Sequence, residues 1–244
     1  MSKLFVAMQD QVSRRWAPVA RLWRDNGQYR FVYTRGSREL PEFEAFGRLT
    51  DLDAEYVSNE LFPLFANRVL PRVRPEYRCY MEWLGLSPVE ADALEELSRT
   101  GGLRATDGLE VISCPEPTAD RRYEIRFFAR GLRHLSIDYQ EALDHLEVDK
   151  RLYLARDIQN RVDAMALMMR TGDPVQLVGY VPRYYSGDIV RLLDTVGPDA
   201  VAVYVDGVNR DAPLQYRLQC RLTSPWPDGF IACDAPEFQP TYAF

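Results

Sequence analysis

The sequence predicts an α+β fold in two domains: a β-meander with helices over about residues 1–116, then a strand-rich domain over about 120–235. Three observations carry this reading. Apolar and polar residues alternate in short runs through Leu4–Thr34. The period lengthens to a helical one from Asn59 to Thr100. Strand patterns return at Leu109 and persist, interrupted by one helical run, Ser186–Leu193.

In chain order, L-F-V-A-M, W-A-P-V-A-R-L and Y-R-F-V-Y read as a meander. Asp25-Asn26-Gly27 between the last two predicts a hairpin, because Asn-Gly supplies the positive φ angles of a type I′ turn. E-L-F-P-L-F-A-N-R-V-L-P reads as helix with Pro63 in the first turn. Tyr77, Tyr80, Met81 and Leu84 form an apolar stripe that Gly85 ends. A helix over Ser87–Thr100 is expected, with Ser87 as N-cap, Pro88 at the first helical position and Gly101-Gly102 as the stop. Asp92, Glu95 and Glu96 are expected on its solvated face. Cys114–Asp120, rich in turn residues, is the expected linker.

Composition bounds the function. The net charge of −6 weighs against broad non-specific DNA binding, which needs a positive field, but leaves room for a small local site. Lysine occurs only at Lys3 and Lys150; the remaining cations are arginine, which suits bidentate phosphate contacts. The start M-S-K-L-F-V-A-M-Q-D runs straight into charge, so no signal peptide is expected, and no apolar run is long enough for a membrane span. Cys79, Cys114, Cys220 and Cys233 make no C-x-x-C pair and are expected to be reduced cytoplasmic thiols. His134 and His145 stand alone, so no metal site is expected. G-x-x-x-x-G-K-[ST], G-x-S-x-G and H-E-x-x-H are all missing, so neither an enzyme nor a cofactor is expected.

Three segments carry candidate binding residues. In Y-E-I-R-F-F, alternation sends Tyr123, Ile125 and Phe127 to one face and Glu124, Arg126 and Phe128 to the other. An arginine beside aromatics suits a strand end, through phosphate pairing and base stacking. In R-D-I-Q-N-R-V-D, the Asx residues Asp157, Asn160 and Asp163 either brace their own loop or face a ligand. In V-G-Y-V-P-R-Y-Y, Gly179 permits close approach of another backbone, and Arg183 stands just before a helix N-terminus, a site that favours anions.

Together these segments resemble the HIRAN domain, a module of DNA-repair helicases and bacterial DNA-associated proteins. The resemblance covers the C-terminal half. It implies a small OB-like β-barrel that binds the free end of a single strand of DNA or RNA. It places Arg126, Phe127 and Phe128 at the strand end and Tyr180 at a position that bears a polar ring, and it implies that Asp163 reads the terminal 3′-hydroxyl. Ile158 and Arg161-Val162 depart from the family pattern, which has prolines near these positions. Residues 4–114 resemble the N-terminal subdomain of HipA-type toxin kinases, with Phe65, Asn67, Leu70 and Pro71 in its F-F-x-N-L-L-P helix. The kinase body is missing, so this likeness implies a docking module. The alternative is a regulator of the toxin–antitoxin or phage-defence type that binds a kinase, nuclease or helicase.

Overall fold

The computed structural model describes residues 3–12, 15–104, 106–161 and 163–242. Val162, and Met1 and Ser2 of the expected leaderless start, lie outside the described residues. The chain divides into two compact units, Met1–Cys114 together with Ile231–Phe244, and Pro115–Phe230.

The first unit is an antiparallel sheet of β1 (Lys3–Gln9), β2 (Trp16–Asp25), β3 (Gln28–Tyr33), β4 (Tyr56–Ser58) and β5 (Leu109–Cys114), in the order β4-β3-β2-β1-β5. Asn26 at φ 47° and Gly27 at φ 82° form the turn that sets Asp25 opposite Gln28. Three short helices follow β4: α1 (Pro63–Ala66), α2 (Tyr77–Leu84) and α3 (Ala93–Thr100). The core joins Leu4, Val6, Leu22, Phe31 and Tyr33 of the sheet to Phe65 and Leu97 of the helices.

Two expectations need correction here. The helix does not begin at Ser87: Ala91 N–H closes one turn onto Ser87 O at 3.0 Å, and α3 starts after Asp92, whose Oδ1 accepts from Glu95 N at 2.9 Å. Asp92 is as good an N-cap as serine and stands directly before the turns that bury Leu94 and Leu97. Glu96 is not solvated but only 2% exposed, and its Oε1 accepts from Leu70 N at 2.7 Å and Tyr80 OH at 3.2 Å. The N–H of Leu70 lies beyond the end of α1 and needs an acceptor, which the glutamate supplies. Burial pushes the Glu96 carboxyl above its ordinary range, against the pull of those donors and of Arg72.

The segment from Ile231 onward, expected to belong to the second domain as far as residue 235, clusters with the first unit. Thr34 bridges Pro240, Thr241 N donates to Tyr33 O at 3.0 Å, and Phe238 meets Phe5 edge-on at 4.9 Å.

The second unit contains β6 (Arg122–Phe128), α4 (Ile137–Leu143), β7 (Arg151–Arg156), β8 (Leu167–Arg170), β9 (Leu177–Tyr180), α5 (Arg183–Val196), β10 (Ala202–Val208) and β11 (Leu218–Pro225). Its strands are ordered β6-β11-β10-β7-β8-β9. The sheet curls into a half-barrel, and its two edges meet just past the end of β6, where Arg130 and Tyr180 exchange backbone hydrogen bonds of 2.8 and 2.9 Å. The inner face buries Ile125, Phe127, Leu152, Met169, Val178, Val205 and Leu222, and α5 contributes Tyr185, Ile189 and Leu192 to the buried set. The fold is therefore α+β, with a curled half-barrel preceded by a sheet-rich unit with helices. Helix α4 was not expected, and α5 begins at Arg183, earlier than the expected Ser186. Among the described residues no helix is long and apolar enough to cross a membrane.

Candidate nucleic-acid interface

The candidate site forms where the curled sheet closes. Closure needs glycine twice. Gly179 has φ +116°, and a Cβ there would lie 2.9 Å from Arg130 O. Gly131 has φ +76°, and a Cβ there would press to 3.0 Å on the Tyr180 ring. The missing side chains let β9 reach the segment after β6 and seat the Tyr180 ring beside it.

From that ring a chain of hydrogen bonds runs into the β7–β8 loop. Tyr180 OH donates to Asp157 Oδ2 at 3.0 Å, and Asn160 Nδ2 donates to the same oxygen at 3.1 Å. Asn160 Oδ1 accepts from Asp163 N at 3.0 Å, and Asp163 Oδ1 accepts from Met165 N at 2.9 Å. Partial burial, then Asp157, raises the Tyr180 phenol above its ordinary value, so the hydroxyl stays protonated and donating at neutral pH. Asp157, Asn160, Asp163 and Tyr180 thus form one connected set. The loop between Asp157 and Ala166 is closed by Asp157 N–H to Ala166 O at 2.9 Å, and Asp163 remains half-buried at its turn.

Arg183 is the first residue of α5, three positions after Tyr180, and is half-buried. Pro182 caps the helix without a side-chain acceptor, and the first turn holds no acid. Its N–H groups and dipole therefore face an end that carries no negative side chain of its own helix.

The structure does not gather the remaining expected residues there. Phe127 and Phe128 are each 4% exposed; Phe127 faces Tyr185 at 6.4 Å and Phe128 meets Tyr216 edge-on at 5.4 Å. Neither ring has a free face on which a base could stack, because both are part of the packing that holds the curled sheet. Arg126 projects from the opposite face of β6 to Phe127 and pairs with Glu124 at 3.0 Å and Asp206 at 3.1 Å. Asp206 also reaches Arg221 at 3.3 Å, and Arg221 reaches Asp149 at 3.2 Å. Three carboxylates thus surround two guanidinium groups, which leaves this cluster without positive charge to offer a phosphate. Asp206 falls at a register shift between Val205 and Gly207 that aims it at both arginines. The Asp-Gly pair inside an otherwise apolar strand was the sequence signal for that bulge.

The HIRAN domain model matches residues 123–226, which contain β6 almost from its start through β11, so this stretch of the chain is a HIRAN domain. The chain is similar to a crystal structure of a Lactobacillus plantarum protein, at 18% identity and a TM-score of 0.32, over 42% of this chain and 98% of that one. It is also similar to the HIRAN domain of human HLTF, at 15% identity and a TM-score of 0.31, over 41% of this chain and 74% of that one. No curated protein matches. The family match does not extend into residues 4–114, and the likeness of that segment to HipA-type kinases has no counterpart among these matches.

Proposed function

We propose that this chain is a non-catalytic DNA-binding protein whose HIRAN domain holds the 3′ end of a single strand, while the N-terminal unit docks a protein partner in the cytoplasm. The observation that carries the reading is the match over residues 123–226, with Tyr180, Asp157, Asn160 and Asp163 joined in one hydrogen-bonded set beside the uncapped start of α5. In this reading Asp163 accepts a hydrogen bond from the terminal hydroxyl, Tyr180 lines the end pocket, and Arg183 with the α5 N-terminus takes the adjoining phosphate. Arg126, held by two carboxylates, contributes less, and Phe127 and Phe128 support the site from the core. The N-terminal unit exposes Val57, Val73 and Val89, apolar side chains that suit a protein contact better than a phosphate backbone.

A carboxylate excludes a second anion. Two unit charges ~4 Å apart at an effective dielectric near 20 repel by about 4 kcal/mol. With Asp163 half-exposed, about tenfold discrimination is expected. The test is fluorescence anisotropy with strands ending in a 3′-hydroxyl, strands ending in a 3′-phosphate, and circles. The hydroxyl end should bind tightest, and Asp163→Ala should lose that preference while costing no more stability than its bond from Met165 N, ~0.5–1.5 kcal/mol. Equal affinity for linear and circular strands would defeat end recognition. Binding to none of them would leave the regulator of a kinase, nuclease or helicase as the surviving account.

A further inference from the structure

We propose that Arg151 and Arg170, braced on Tyr153, hold an internal phosphate of the strand whose end is read at Tyr180; this extends the site and rests on the end-binding reading above.

The strand register defines the surface. Tyr153 stands opposite Arg170 across β7 and β8, and Ala155 stands opposite Met168 two residues along the same face. Met168 in turn stands opposite Tyr180 on β9. Tyr153, Arg170, Met168 and Tyr180 therefore share one face, the one that leaves Leu152 and Met169 to the core. Strand spacing and rise put Tyr153 about 12 Å from Tyr180. At the ~3.4 Å stacked spacing of a strand, that is about three to four nucleotides.

The groups on that face have the right chemistry. Tyr153 is 42% exposed, and the guanidinium carbons of Arg151 and Arg170 lie 5.6 and 5.3 Å from its ring centroid. Arg170 is further fixed by Nη1 donating to Thr171 O at 2.9 Å. Among the described residues neither guanidinium has a carboxylate partner. The contrast with the rest of the face is informative. In the row Arg126–Arg221–Tyr204–Arg151, which crosses four strands in register, Arg126 and Arg221 are covered by Glu124, Asp206 and Asp149. The charge compensation stops at Arg151. In a chain of net charge −6, two arginines stacked on one exposed ring without acids make a local positive site. The ring holds the guanidinium planes in place, so less side-chain freedom is lost when a phosphate arrives.

The test uses the full chain and oligodeoxythymidylates with a 3′-hydroxyl. A dinucleotide reaches only the end site; a hexanucleotide also reaches Tyr153. Wild type should bind the hexanucleotide more tightly. The double variant Arg151→Gln with Arg170→Gln should bind the dinucleotide as wild type does, lose about tenfold on the hexanucleotide, and show a salt slope smaller by about 0.7. Arg151→Lys with Arg170→Lys should restore the slope, because a phosphate accepts a point charge. If wild type prefers the hydroxyl end yet binds both lengths equally, or if the glutamine variant matches wild type on the hexanucleotide, this inference fails and end binding stands. If wild type binds neither strand, both fail. Circular dichroism melting of each variant separates lost contact from lost fold.

Discussion

Replacing Gly179 with alanine tests whether closure of the curled sheet builds the site. The new Cβ would lie 2.9 Å from Arg130 O and 2.9 Å from Leu132 Cδ2, on a residue at φ +116°. The carbonyl cannot swing away, because it accepts the Tyr180 N–H at 2.9 Å. Relief therefore requires opening the Arg130–Tyr180 bridge, whose two hydrogen bonds are worth ~0.5–1.5 kcal/mol each. Holding a non-glycine residue at such a φ costs a further ~1–3 kcal/mol. Together these place the destabilisation at about 2–6 kcal/mol. Gly187→Ala is the matched control: it lies inside α5, and apart from the neighbouring residues and backbone of its own helix nothing lies within 4 Å of the new methyl group, so alanine should stabilise by ~0.5–1 kcal/mol. Urea titrations followed by circular dichroism measure both. Gly179→Ala should also lose affinity for a 3′-hydroxyl strand, since Tyr180 moves with the bridge. A Gly179→Ala protein as stable as wild type would refute the closure argument.

Other outcomes follow from the same geometry. Glu96 has a raised folded-state value, so its contribution to stability is fully present below the unfolded carboxyl range and is lost as pH rises through the folded value. Glu96→Gln keeps an acceptor for Leu70 N and Tyr80 OH, so it should melt above wild type at neutral pH, and the difference should vanish toward about pH 4. Asp206→Asn removes one of the three carboxylates around Arg126 and Arg221 and leaves Glu124 and Asp149 in place, so the cluster goes from net negative to neutral; hexanucleotide binding should strengthen at low salt and return to the wild-type value at about 1 M, where the Debye length is ~3 Å. No change at low salt would place both arginines outside the footprint. Because the first unit takes in both ends of the chain, a protease cut within Cys114–Asp120 alone should free no fragment; a second cut near Phe230 should release a folded 115–230 piece. Release of a stable 1–114 piece by one cut would contradict that division.

The sequence displayed local chemistry better than long-range pairing. Asn26-Gly27, the glycine stops at Gly85 and Gly101, and the β6 alternation that buries Tyr123, Ile125 and Phe127 were legible because each depends on backbone preference or a period of two. The polar set Asp157, Asn160 and Asp163 was legible as an Asx loop, but its tie to Tyr180 was not, since twenty-three residues separate the hydrogen-bonded pair. Phe128 read as outward by alternation, yet Tyr216 from a different segment covers it. Glu96 read as solvated because helical spacing alone cannot reveal an orphan N–H at Leu70. The return of the chain end to Thr34 and Tyr33 carries no periodic signal at all; it rests on an isolated bridge and a few backbone bonds.

The central claim is that the HIRAN domain grips a strand end at the closure of its sheet. Amide chemical-shift mapping of the full chain during titration with a 3′-hydroxyl dinucleotide tests it most directly. The account predicts the largest changes at Asp157–Asp163, at Tyr180 and in the first turn of α5 from Arg183, with the amides of β1 to β5 unmoved. Changes centred on the Arg126–Asp206–Arg221 cluster or on the N-terminal unit, with Asp163 and Tyr180 silent, would contradict it.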